Sequence, residues 1–315
     1  MATQKPSILF ILTDDQNWHI ESIGTLWNAQ NVDNYNAPYA GSFNGLDFIL
    51  DPYTYKYYRT LMSRNRASPI SYGGQYSPNV TVAKAYGYLE EATQHPDPWF
   101  MNYKIPGIRN FNPEQPVGVG RTGDLSYVNE TAVEYNDEYQ RARLRVFQSV
   151  DEMVEQIVKT LDAKGLLENS YIFYTTNNGR HMSSRRMLPG KECSYKEDIH
   201  IPLIVRGPGV PREHITHDIV TTRTDLALTI PQLAGGALQE DFDGTPIPLT
   251  DDSLQTGSHA EQVAVEYWGM AIAEGKYGRE LVYGHGRVGE IGSENAARKN
   301  TYKSLRIQSD EYGLF

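Results

Sequence analysis

Ser7-Ile8-Leu9-Phe10-Ile11-Leu12, followed at once by Thr13-Asp14-Asp15-Gln16, is the stretch that decides the fold. It is short, almost continuously apolar and preceded by Pro6, the pattern of a strand buried on both faces inside a parallel sheet. Two more runs share this character. Tyr171–Thr176 (YIFYTT) lies between Asn-Ser and Asn-Asn-Gly, and Ile201–Val205 (IPLIV) is closed by Arg-Gly-Pro-Gly. Between the first two strands, Tyr139–Ala163 sets Leu144, Phe147, Val150, Val154, Ile157, Val158 and Leu161 on one helical stripe, with Gly165 as the stop. Val82–Thr93 and Thr224–Leu233 are shorter helix candidates. Helices alternating with buried strands predict an α/β fold, a mixed and largely parallel sheet flanked by helices.

A chain of 315 residues suits one large domain or a domain with a smaller appendage. A net charge of −10 argues against nucleic acid or an anionic membrane surface as partner, since both reward a basic protein. No apolar run approaches the length of a membrane span. Cys193 is the single cysteine, which excludes an internal disulfide framework and a multi-cysteine zinc site. No apolar signal segment is visible before the first strand, and the compartment stays open. The glycosylation triplets at Asn79 and Asn129 either mark a secreted ancestor or arise by chance. Residues 33–80, rich in Tyr, Asn, Pro and Gly, read as ordered loops over the sheet. Beyond about residue 250 the pattern weakens, and Glu261–Trp268 and Tyr302–Ile307 read as strands of a smaller unit. The division is therefore 1–250 for the main α/β domain and 251–315 for a partial C-terminal subdomain.

Chemistry is expected where the strands end, because open α/β sheets bind ligands beyond the carboxyl ends of their strands. Asp14 and Asp15 put adjacent carboxylates at such an end, a costly pairing unless a cation neutralises them. A hard divalent ion with oxygen ligands, Ca²⁺ or Mg²⁺, answers that need; exposed turn aspartates capping a following helix are the alternative. Asn177-Asn178-Gly179 offers amide oxygens at the end of the second strand, or a plain Asn-Gly turn. His181 lies close enough to that turn to face the same site, or else sits on the surface. Lys191 could meet an anion as a point charge or simply be solvated. Cys193 reads as a small buried side chain, and Arg185-Arg186 as a solvated pair.

Taken together, SILFILTDDQ, YIFYTTNNGRHMSSRRMLPGKECSYKEDIHIPLIVRGPGVP and DIVTTRTDLALTIPQLAGG resemble the sulfatase family, most of all secreted arylsulfatases of the fungal kind and the glucosamine-6-sulfatases. NAQNVDNYNAPY, FDGTPIPL, VAVEYWG and AEGKYGRE extend the resemblance over most of the chain. It implies the alkaline-phosphatase-like fold with a smaller C-terminal sheet, one Ca²⁺, and hydrolysis of sulfate esters of small molecules or sugars. In such enzymes paired aspartates after the first strand and an Asp-Asn pair after a later one hold the calcium; Asp14, Asp15 and Asn178 match, while Asn177 stands where the family has Asp. Lys191 matches a lysine that contacts sulfate.

The departures are as informative. The family nucleophile is a formylglycine made within a C/S-x-P-S/A-R motif after the first strand, and no such motif occurs here. The chain runs from TDDQNWHIES directly into IGTLWNAQ, so a segment is expected to be missing near Ser22–Ile23. A family Gly-Lys pair appears as Gly24-Thr25. A second gap is expected near Tyr103–Ile105, where an Ala-Pro-His motif would follow the strand. The chain also ends where relatives continue. The resemblance therefore leads to a family member that keeps half of a metal site and is catalytically inactive. An active Ca²⁺-dependent arylsulfatase with the two segments restored, and a non-catalytic binder of sulfated glycans, are the alternatives.

Overall fold

The computed structural model describes residues 5–14, 32–33, 35–36, 44–50, 53, 56, 58–94, 100–106, 130–180, 195–216, 219–238, 241–256, 262–267, 302–308 and 313–314. Its elements are, in order, β1 (Ser7–Asp14), β2 (Asp47–Ile49), β3 (Arg59–Arg64), β4 (Ile70–Gly73), α1 (Ser77–Thr93), β5 (Phe100–Pro106) and α2 (Glu130–Ala163). They continue with β6 (Ser170–Thr176), α3 (Lys196–Ile199), β7 (Leu203–Arg206), α4 (Arg223–Leu233), α5 (Asp251–Thr256), β8 (Gln262–Tyr267), β9 (Tyr302–Gln308) and β10 (Gly313–Leu314). The main sheet has the order β5-β1-β6-β7. β1 is parallel to both β5 and β6, and β7 runs antiparallel to β6. The expected mixed, largely parallel sheet is thus present, with the SILFIL strand at its centre.

Because side chains alternate along a strand, the central strands feed two cores. Leu9, Ile11 and Ile172 pack with Ala85 and Leu89 of α1 and with Val150, Met153, Ile157 and Leu161 of α2. Ile8, Phe10, Tyr171 and Phe173 pack on the other face with Leu226 of α4 and with Leu203, Ile230, Ile247 and Leu249 around it. Phe10 and Phe173 meet with ring centroids 6.2 Å apart. Each large apolar side chain that is fully buried here, such as Leu9, Ile11 and Phe173, contributes about 1.5–3 kcal/mol, so the apolar run that looks unpatterned in sequence is what cements two helical layers to one sheet. Among the described residues no helix is long and apolar enough to cross a membrane.

The edges of this frame are tied by polar contacts. Arg206 donates to the Leu167 carbonyl and to Glu168, both at 2.6 Å, fixing the end of β7 to the turn that feeds β6. The Tyr171 hydroxyl donates to the Pro208 carbonyl at 2.8 Å. Its ring fills the space beside Gly207 that a Cβ would need.

One expectation is corrected. Part of residues 33–80 is not loop: β2, β3 and β4 form a three-stranded antiparallel sheet in the order β2-β3-β4. The turn after β3 puts Asn65 and Arg66 in the left-handed region, at φ 50° and 67°. Asn is at home there, but Arg occupies the place where Gly would announce a hairpin, and the short polar strands carry little alternation. This sheet docks on α1 through Arg64, which pairs with Glu91 at 2.7 Å and lies 4.5 Å above the Tyr88 ring. Asp47 meets Lys84 at 4.0 Å from the same side. α1 begins at Ser77, five residues before the periodic stretch, with Pro78 in its first turn. The two expected late strands pair antiparallel as β8 and β9, and β10 extends them.

Candidate functional site

β1 and β6 run side by side in register, with Thr13 opposite Thr176. The next residues, Asp14 at the end of β1 and Asn177 just after β6, therefore lie side by side at the carboxyl edge of the sheet, on strands about 4.8 Å apart. On its other side Asp14 lies opposite Pro106 of β5. Asn177 is partly buried, and its Oδ1 is fully shielded from solvent without a hydrogen bond among the described residues. A buried amide oxygen without a donor costs about 1–3 kcal/mol, so this atom is set up for a positively charged or donor group that the described residues do not supply.

The turn after Asn177 is held on several sides. Thr176 Oγ1 donates to the Asn178 carbonyl at 3.0 Å, and Asn178 Nδ2 donates to the Gly179 carbonyl at 2.7 Å. The Gly179 amide donates to the Asp198 carbonyl at 2.8 Å. Arg180 follows, only 2 % exposed, and Asp198 is 3 % exposed. Sequence reasoning singled out neither: a charged residue between Gly and His looks like surface, and only the fold brings α3 against the turn.

Asp15, His181, Lys191, Cys193, Arg185 and Arg186 lie outside the described residues. Of the expected metal ligands, the structure brings together Asp14, Asn177 and Asn178 at one edge. Among the described residues no group of three or more His, Cys, Asp or Glu side chains forms a cation cage. The donor set suits a hard cation nonetheless, because the orphaned Asn177 oxygen sits beside the strand end that carries Asp14.

In open α/β sheets ligand sites lie beyond the carboxyl ends of the strands, and that is the edge where Asp14, Asn177 and Asn178 are gathered. The fold recurs in a solved protein in complex with its substrate D-glucosamine-2-N,6-O-disulfate. The TM-score is 0.61 at 15% identity, covering 84% of this chain and 66% of that one. The sulfatase family model matches residues 15–237, and the chain belongs to the sulfatase family. Sulfatase ppz1 of Metarhizium majus is 27% identical over 344 aligned positions, covering 96% of this chain and 71% of that protein. An arylsulfatase of Volvox carteri is 28% identical over 296, covering 76% of this chain and 46% of that protein. The chain thus spans less than half of the Volvox enzyme. The Metarhizium alignment is longer than the 315 residues of the chain itself, so that relative carries interior residues with no counterpart here.

Proposed function

We propose that this chain is a sulfatase-family protein that retains the cation edge of the site but does not hydrolyse sulfate esters. One observation carries the reading: no serine or cysteine stands two residues before any of the 17 prolines, so no C/S-x-P nucleophile motif exists in these 315 residues. Without a nucleophile the covalent route is closed, and the loss of one charge-stabilising donor alone typically costs a factor of 10²–10³ in rate. Gly24-Thr25 in place of a Gly-Lys pair removes such a donor as well.

Asp14, Asp15, Asn177 and Asn178 would hold Ca²⁺, which when bound would neutralise the carboxylates and orient the oxygens of a sulfate group. Asn177 supplies an oxygen but no charge, which lowers calcium affinity relative to a carboxylate. Lys191 and His181 would face the sulfate. The ligand class is a sulfate ester of a sugar or small molecule; the glucosamine disulfate held by the structural neighbour supports it. The purified chain should show no hydrolysis of an aryl sulfate with calcium present, while calcium raises its melting temperature, as any ligand selective for the folded form must. Clear turnover would sink this reading.

A second reading rests on the surplus length of the Metarhizium alignment: interior segments near Ser22–Ile23 and Tyr103–Ile105 belong to the full product, which is then an active calcium-dependent arylsulfatase. β5 crosses residues 103–105 without losing register with β1, so a restored second segment would have to follow the strand. Sequencing the transcript across both junctions separates the two readings.

A further inference from the structure

The turn that presents Asn177 is braced from behind by a four-residue helix. Gly179 donates its amide to the Asp198 carbonyl at 2.8 Å, and a Cβ at Gly179 would collide with the Glu197 carbonyl. Its φ is not left-handed, so the glycine is needed for close approach and not for backbone conformation. Thr176 Oγ1 holds the Asn178 carbonyl from the strand side, and Asn178 Nδ2 closes on the Gly179 carbonyl. Thr175 Oγ1 donates to the Pro202 carbonyl at 2.7 Å, tying the strand to the segment that leaves α3. The Asp198 and Ile199 amides both donate to the Tyr195 carbonyl, which fixes α3 itself. Residues 175–180 and 195–202 are therefore joined at several points.

We propose that the contact between Gly179 and α3 is a positioning clamp: it sets the Asn177 oxygen at the edge where β1 ends. The inference rests on the reading of this edge as a cation site. Neither Gly179 nor α3 ligates anything in it. They act through Asn177, as outer residues tune the ligands of other metal sites.

The test uses the full chain and calcium chloride alone, with calorimetric binding, melting temperature and amide exchange as readouts. Wild type, Gly179→Ala, Thr176→Val, Asn177→Ala and Asp14→Ala are compared. The clamp predicts that Gly179→Ala weakens calcium binding about tenfold or more and speeds exchange of the residue 179 amide. Thr176→Val removes the hydroxyl that holds Asn178 without adding bulk against α3, and should weaken binding by a smaller factor. If Gly179→Ala fails to fold, Thr176→Val decides. A purely structural contact would lower the melting temperature equally with and without calcium and leave the calcium-induced shift intact; that result overturns the clamp. Calcium binding by Asn177→Ala and Asp14→Ala equal to wild type, or no calcium response in any of the five proteins, overturns the cation reading itself and the clamp with it.

Discussion

Thr13 of β1 stands opposite Thr176 of β6, and this one pairing brings Asp14 and Asn177 to the same point of the sheet edge. The two residues are more than 160 positions apart in the chain, yet parallel pairing in a doubly buried sheet leaves no freedom to slip. A shift by one residue would turn Leu9 and Ile11 from the α1–α2 core to the opposite face. The apolar core therefore sets the geometry of the polar edge.

That geometry makes the charge at position 177 the natural variable. Asn177→Asp should strengthen calcium binding, because affinity in oxygen sites follows the number of charged ligands, and should enlarge the calcium-induced rise in melting temperature. Without calcium the same variant should be less stable than wild type, since it places a further carboxylate beside Asp14 in a half-buried position. Thermal scans with calcium and with a chelator measure both signs. Equal melting temperatures for the two proteins under both conditions would remove Asn177 from the cation edge.

Much of this was legible in the sequence, and the limits have physical causes. SILFIL and YIFYTT announced buried strands because both faces are covered, and the helical stripe of Tyr139–Ala163 found Val150, Ile157 and Leu161. The stripe passed over Met153, which is 0 % exposed, and Val146, which is 4 % exposed, because α2 is covered over a face wider than one row of residues. The sheet of β2, β3 and β4 stayed hidden behind polar strands and an Asn-Arg turn. At the site, the sequence points to Asp14 and Asn177 but not to the contact of Gly179 with α3, which is made with main-chain carbonyls of Glu197 and Asp198 that leave no mark on residue type.

The inner face of α2 offers a direct stability test. Ile157 is fully buried between the helix and the central strands. Ile157→Ala should cost about 2–5 kcal/mol, the transfer of the lost methylenes plus the cavity they leave. Val158→Ala, on the partly buried flank, should cost less. Urea unfolding followed by circular dichroism would order them; a larger loss at Val158 would contradict the packing described.

Asp225 in the first turn of α4 carries more than a cap. Its Oδ2 accepts the Thr222 amide at 2.6 Å, and its Oδ1 accepts the Thr245 amide at 2.8 Å, so one carboxylate ties the helix start to the 242–250 strap that covers the second core. Asp225→Ala should destabilise by about 1–2 kcal/mol, at the upper end for a helix cap. Asp225→Asn, which keeps one acceptor oxygen, should recover part of the loss. Chemical denaturation of the two variants checks this, and equal losses would mean that only the charge matters.

Tyr88 should make the protein sensitive to alkali. Burial, and then the nearby Asp47 carboxylate, push its phenol well above the ordinary value of 10.0, against a smaller downward pull from Arg64. Asp47 has a side chain only 6 % exposed, so the charge it places beside the phenol is poorly screened. In the unfolded chain the phenol ionises near its ordinary value, while in the folded protein it stays protonated. The contribution is therefore complete below about pH 10 and is lost as the pH rises through the folded value. Melting temperature should fall with pH above about 10, and Tyr88→Phe should fall less steeply. Tyr86 and Tyr171 are also raised by burial, so the variant keeps part of the slope. Parallel curves for the two proteins across this range would show that the Tyr88 hydroxyl is not the group that the fold holds protonated.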